Sequence, residues 1–241
     1  MSRDSWDASC ILSGVNFFSA DAYLFDIDGT LMNTRDLTHY YAFRNALKEV
    51  FGFEANIDGV PVHGNTDTGI LRAVCRLQGV SDQDFERELP RVVGLMSAEV
   101  SSKQEEIRAD LCPSIRDLLT ILHDQGKLIG IVTGNFEDIG WAKISASGLR
   151  KFFSFGAFSN HAERRADIFR NGLAEVHRRL GPSATTFIVG DTPTDISAAR
   201  EVGVPIISVA TGIFPVAQLE KLGPDLCLTC CTELLEDYQR Q

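Results

Sequence analysis

Two carboxylates separated by one residue, Asp26 and Asp28, stand where an apolar run turns polar, in Tyr23-Leu24-Phe25-Asp26-Ile27-Asp28-Gly29-Thr30. The residues before them are β-prone and a glycine follows, the pattern of a buried parallel strand that ends at a site. In an extended strand both side chains would face one side, but Gly29 lets the chain bend, so that Asp28 can swing out over Asp26. That juxtaposition suits a nucleophile with a proton donor beside it, although a capped strand end would use the same residue types. Two further polar clusters follow apolar runs in the same way: Thr133-Gly134-Asn135 after Leu128-Ile129-Gly130-Ile131-Val132, and Gly190-Asp191-Thr192-Pro193-Thr194-Asp195 after Thr186-Phe187-Ile188-Val189. Phosphoryl transfer needs such a set: an in-line nucleophile, a cation, and donors for the charge that spreads over the equatorial oxygens. The backbone N–H groups of Gly134 and Asn135 can cradle an oxyanion, while Thr133 has the alternative of capping the helix that follows.

Elements of the right kind surround these clusters. Apolar spacing predicts helices over 37–51, 71–77 and 85–100, then 113–124, 137–147, 167–180 and a stretch ending at Val202. Between the later helices lie strands at 128–132, 152–158, 186–189 and 205–209, with a last strand and helix from Asp225 onward. This alternation predicts an α/β fold, a doubly wound (Rossmann-like) parallel sheet. Carboxyl ends of parallel strands lie along one edge, so the three clusters would meet in a crevice where the strand order switches. From Thr34 to about residue 110 no strand alternation is visible, and the helical segment there is an insertion between the first strand and the next. The expected division is therefore a core domain of 1–34 and 111–241 and an inserted small α-helical domain of 35–110. Residues 1–20 read as an extension before the first strand, with no catalytic residues of their own.

The chain of 241 residues can bury a substantial core, and its apolar and charged fractions of 44% and 23% are ordinary for a globular protein. A formal net charge of −10 excludes a general affinity for nucleic acid or for anionic membranes, both of which need positive fields. It leaves room for a phosphate ester held locally by a divalent cation and basic side chains. The N-terminal stretch is too polar for a secretory signal, and Cys10, Cys75, Cys112, Cys227, Cys230 and Cys231 form no disulfide framework; together these predict a cytoplasmic protein with reduced thiols. Cys227-x-x-Cys230 lacks a second pair or a nearby histidine to complete a zinc site.

The string FDIDGTLMNT resembles motif I of the haloacid dehalogenase superfamily, and the Thr133 and Asp191–Asp195 clusters resemble its motifs II and IV. The resemblance implies that Asp26 attacks phosphorus and Asp28 is the general acid and base. It implies Mg²⁺ held by Asp26, the backbone carbonyl of Asp28 and Asp191, with Asp195 reaching the ion through water or supporting it. The family's motif III lysine is missing from 159–167, so Arg165, with Arg164 in reserve, is expected to supply that cation beside Thr133, Gly134 and Asn135 as the phosphate-binding set. The helical insertion resembles the type 1 cap, whose loop VPVHGNTD would bring His63, Asn65 and Thr66 to the substrate. His39, His123 and His177 fall in helical patterns and are expected on the surface or in packing. The reading is a Mg²⁺-dependent phosphatase, similar to the phosphoglycolate phosphatase group, acting on a small phosphorylated metabolite as a monomer or homodimer. A phosphomutase of the same superfamily and a non-catalytic binding protein on the same core are the alternatives. Asp28 argues against the dehalogenase branch, because halide needs no proton to leave.

Overall fold

A computed structural model describes residues 16–240. The centre is β1 (Ala22–Phe25), whose residues are all buried. It pairs in parallel with β4 (Leu128–Val132) on one side and β6 (Thr186–Gly190) on the other. Beyond β4 lies β5 (Phe155–Ala157), and beyond β6 lie β7 (Ile206–Val209) and β8 (Leu226–Leu228), giving the order β5-β4-β1-β6-β7-β8. The chain leaves β1 toward β4, then crosses back past β1 to β6, so the switch in strand order falls at β1. Register makes the strand ends level: Phe25 is opposite both Ile131 and Val189, so Asp26, Thr133 and Asp191 all emerge at the same edge.

Period-two alternation sorts β1 between two cores. Tyr23 and Phe25 join the apolar cluster containing α4 (Ile115–Asp124) residues Leu118, Leu119 and Leu122. Ala22 and Leu24 face the opposite layer, built on α6 (Arg165–Leu180) and α7 (Pro193–Val202). Continued one step, that alternation sends Asp26 toward α6 and α7. The remaining core helices are α5 (Glu137–Ala146), α8 (Val216–Glu220) and α9 (Thr232–Arg240). The short α8 escapes periodicity reading because one and a half turns cannot establish a stripe.

Between β1 and β4 the chain forms α1 (Thr38–Phe51), α2 (Asp67–Leu77) and α3 (Asp82–Ser102). Each start is set by a side chain: Asp36 accepts from Thr38 N–H at 2.9 Å, Thr66 from Gly69 N–H at 3.0 Å, and Ser81 from Asp84 N–H at 3.1 Å. These helices share an apolar cluster with Phe136, Ile139 and Ala142 at the start of α5. Contrary to the strand-free expectation, the segment is rooted on a two-stranded antiparallel ribbon, β2 (Met32–Thr34) with β3 (Ala109–Leu111). Three-residue strands are too short to display alternation. Three helices also begin earlier than their apolar spacing indicates, α2 at Asp67 instead of 71, α3 at Asp82 instead of 85 and α6 at Arg165 instead of 167, because their first turns are largely polar and carry no apolar stripe. Among the described residues, no helix is long and apolar enough to cross a membrane.

Candidate active site

Three strand ends and the helix that follows each build the site. After β1 the chain turns at Gly29, whose φ of +85° is open to glycine and costly for other residues. A Cβ there would sit 2.2 Å from Asp191 Oδ2, and one on Gly212 would sit 1.8 Å from the same oxygen, so two glycines make the room in which this carboxylate stands. Thr30 Oγ1 donates to Asp191 Oδ1 at 3.1 Å. Asp195 closes the first turn of α7 in a capping box with Thr192, its Oδ2 accepting from Thr192 N–H at 3.0 Å and from Thr192 Oγ1 at 2.7 Å.

Arg165 enters from the first turn of α6 and is almost fully buried at 6% exposure. Its Nε donates to Asp195 Oδ1 at 2.8 Å, and its Nη2 lies 2.8 Å from Asp26 Oδ1 and 2.7 Å from Asp195 Oδ1. The angles at Nη2 do not make hydrogen bonds of those contacts, and nothing among the described residues accepts its protons. A buried guanidinium nitrogen with unmet N–H groups beside Asp26 is suited to an arriving anion. Arg164, one residue earlier, turns outward and donates to Glu201.

The charges are strongly perturbed. Burial pushes the Asp26 carboxyl upward, with Asp195 and Asp28 adding to the shift and the Arg165 guanidinium opposing it. Burial, then Asp26 and Asp195, push Asp191 up to about 8. Asp26, Asp191 and Asp195 each bring an oxygen within 4.8 Å of the others, and among the described residues Arg165 is the guanidinium that pairs with this group, through Asp26 and Asp195. Clustered hard oxygens short of positive charge fit a divalent cation such as Mg²⁺. Among the described residues this is the group of His, Cys, Asp and Glu side chains close enough to share an ion.

Asp28 projects into the cavity with 41% of its side chain accessible. Enclosure favours its neutral form, but the Lys143 ammonium and the Asn135 amide outweigh that and hold the carboxyl below its usual range. Lys143 Nζ lies 2.9 and 2.7 Å from the two Asp28 oxygens. This lysine escaped the sequence reading: the search for a cation was confined to 159–167, whereas Lys143 sits at the end of the second turn of α5 and reaches back to the strand edge. Its only sequence signal was a lysine within an otherwise apolar helix segment, Ile139-Gly140-Trp141-Ala142-Lys143-Ile144.

The cavity encloses about 320 Å³ and is lined on the core side by Asp26, Asp28, Thr133, Gly134, Asn135 and Arg165. From the helical segment come His39, Val62, His63, Asn65 and Ile70. His63 and Asn65 thus stand where they were expected. Thr66 does not line the cavity: buried at 1%, it caps α2 and donates to the Glu163 carbonyl at 2.7 Å. His39 corrects its expectation in the other direction, lining the cavity with Nε2 3.2 Å from Asp67 Oδ1. Asp67 also ties the segment to the core, its N–H donating to Gly134 O at 2.7 Å and its Oδ2 accepting from Phe136 N–H at 2.8 Å.

A family model described as haloacid dehalogenase-like hydrolase matches residues 23–209, which take in the sheet up to β7, the helical segment and all three motifs. The chain belongs to this family. Among similar proteins, a phosphoglycolate phosphatase of Synechococcus elongatus is 29% identical over 217 residues, covering 89% of this chain and 95% of that one. The pyrophosphatase PpaX of Bacillus pumilus is 22% identical, covering 92% and 97%. The fold is shared with CbbY from Rhodobacter sphaeroides, solved with xylulose-1,5-bisphosphate, at a TM-score of 0.65, 19% identity and coverage of 89% and 96%. In this hydrolase the matched span takes in the helical segment as well as the strand ends of the site, so the resemblance extends well beyond motif I.

Proposed function

We propose that the protein is a Mg²⁺-dependent phosphatase that hydrolyses a small phosphorylated metabolite through an aspartyl-phosphate on Asp26. The observation that carries this reading is the Asp26 carboxylate set against a buried guanidinium with unmet donors, facing a cavity with Asp28 on its other wall. Asp26, Asp191 and Asp195, with the backbone carbonyl of Asp28, would hold the metal, which offsets the repulsion between a carboxylate nucleophile and an anionic ester. The Asp26 oxygen attacks phosphorus as the P–O bond to the leaving group breaks, and protonated Asp28 gives its proton to the departing leaving-group oxygen. In the second step Asp28 takes a proton from water as water attacks phosphorus and the Asp26–phosphorus bond breaks. The ionised form favoured by Lys143 is the one that second step uses. Arg165, the Thr133 hydroxyl and the Gly134–Asn135 turn supply donors to the phosphoryl oxygens.

The helices of 35–110 act in this reading as a cap, with 1–34 and 111–241 as the core domain, and His39, His63 and Asn65 meet the leaving group. A cavity of about 320 Å³ suits a metabolite-sized ester. The test is release of inorganic phosphate from a panel of phosphorylated metabolites, with Mg²⁺ or chelator. Steady release that requires Mg²⁺ and disappears in folded Asp26→Asn supports the phosphatase; return of the group to the sugar without net release would favour a mutase, and no turnover by any substrate would favour a binding protein.

A further inference from the structure

Lys143 is buried at 5% exposure, and every proton of its ammonium is engaged. Two point to the Asp28 oxygens at 2.9 and 2.7 Å, and the third to Asn135 Oδ1 at 2.8 Å. An ammonium has three donors, so none is left for a substrate. The placement follows from helix geometry: side chains lean toward the helix N-terminus, so the four-carbon stem of Lys143 runs back along α5 to the turn that precedes it. What it meets there is itself connected. Asn135 Nδ2 donates to Asp28 Oδ2 at 2.8 Å and to Thr133 Oγ1 at 2.8 Å. The acceptor Lys143 offers no alternative to is the amide oxygen, so the lysine fixes which way the Asn135 amide faces. With Thr133 Oγ1 accepting from Asn135, its own hydroxyl proton is free for an acceptor in the cavity.

We infer that Lys143 is a positioning residue: it clamps the Asp28 carboxylate and orients Asn135 so that the Thr133 hydroxyl points its proton at the phosphoryl group. The clamp joins the first motif to the second from a position outside both. This inference rests on the proposed role of Asp28 as acid and base. An ion pair with its ammonium buried, if retained only for stability, would be a weak device, since desolvating the lysine cancels much of the Coulomb gain.

The test compares the parent with Lys143→Met, which keeps the apolar stem, and with Lys143→Gln, a smaller perturbation should the methionine variant fail to fold. Both are measured with a primary alkyl phosphate and with p-nitrophenyl phosphate, each alone and combined with Asp28→Asn. Lys143→Met is expected to lower kcat on the alkyl ester by about a hundredfold, the scale of losing a positioned proton donor, with KM within about threefold. In single-turnover phosphorylation the aryl ester should lose less, because its leaving group needs no proton. Added to Asp28→Asn, the lysine change should cost less than about threefold more, because residues acting through one another do not add. A change in melting temperature with kcat unaltered, equal losses for both esters, or multiplicative losses in the double variant would overturn the inference. Were the parent to release no phosphate at all, the phosphatase reading and this inference would fall together; phosphate release by the parent with kcat intact in Lys143→Met would overturn the inference alone.

Discussion

Asp26, Asp191 and Asp195 are held together at a cost to the folded chain, which the proposed Mg²⁺ would offset. Asp191 is raised from 3.8 to about 8 by burial and by the two neighbouring carboxylates, so between those limits the folded, metal-free protein holds a proton that the unfolded chain has lost. Stability must then fall as pH rises through that window, because the folded state binds more protons there. We expect Asp191→Asn to melt at the same temperature as the parent near pH 4 in chelator and above it near pH 8, with Mg²⁺ raising the melting temperature of the parent alone. Equal melting at pH 8 in chelator would contradict the charge assignment without any appeal to activity. The two neighbouring arginines should separate as sharply. Arg165→Ala removes the buried cation beside Asp26 and should lower kcat/KM about a hundredfold, roughly 3 kcal/mol, the scale of one lost transition-state donor. Arg164→Ala breaks a surface pair with Glu201 and should stay within about threefold, exposed pairs contributing little. Parallel kinetics on the two variants, with Arg165→Lys as a partial rescue, decide the matter.

At the scale of elements, the N-terminus of α2 is docked on the turn after β4. Asp67 bonds to Gly134 and Phe136, and on the far side Arg72 Nε grips both oxygens of Glu163 at 2.9 and 2.8 Å while its guanidinium lies 4.4 Å from the Phe85 ring centroid. Glu163 lies two residues before Arg165, so the same short loop carries a contact to the helical segment and the cation of the site. Gly134 is where the fit is tightest: a Cβ there would stand 2.4 Å from the Asn65 carbonyl oxygen and 3.0 Å from the Thr66 Cα. Neither is a flexible side-chain tip, so backbone must move. Gly134→Ala should therefore loosen α2 from the turn, visible as faster amide exchange at Asp67 and Phe136 and a rise in KM. Unchanged exchange at both amides would show that the two surfaces are not held there.

Over the whole molecule, the apolar cluster of the helical segment is completed by residues of the sheet-flanking helix α5. Ile139, fully buried on α5, belongs to one apolar cluster with Phe85, Leu71 and Met96 of the inserted helices. Ile139→Ala should cost about 2–5 kcal/mol, the range for deleting a buried large aliphatic side chain. Because the cluster crosses from α5 to the inserted helices, the loss should appear as a lower melting temperature of a single transition and as faster exchange in α1–α3. Two separate transitions, only one of them shifted, would instead mean that core and cap unfold independently.

Much of this organisation is written locally. Apolar runs ending in Asp26, Thr133 and Asp191 announced parallel strands with polar ends, because a strand buried on both faces must be continuously apolar and must stop where polarity begins. Helix spacing announced the insertion, and Gly29 after Asp28 announced the bend that leaves Asp26 and Asp28 lining one cavity. What escaped depends on contacts between residues distant in the chain. The β2–β3 ribbon pairs Asn33 with Asp110, a partnership no local pattern encodes. His39 and Lys143 looked like ordinary helix residues, since their spacing says which face of a helix they occupy but not what lies opposite. Thr66 looked like a loop residue open to substrate until α2 was seen to begin at Asp67, which makes it a cap. Strand register set the level at which the three motifs meet, and the packing of α5 and α6 against that edge decided which cation reaches which carboxylate: Arg165 to Asp26 and Asp195, Lys143 to Asp28. Charge type and local pattern are properties of the chain; the pairing of charges across a low-dielectric site is a property of the fold, because it depends on distance and burial.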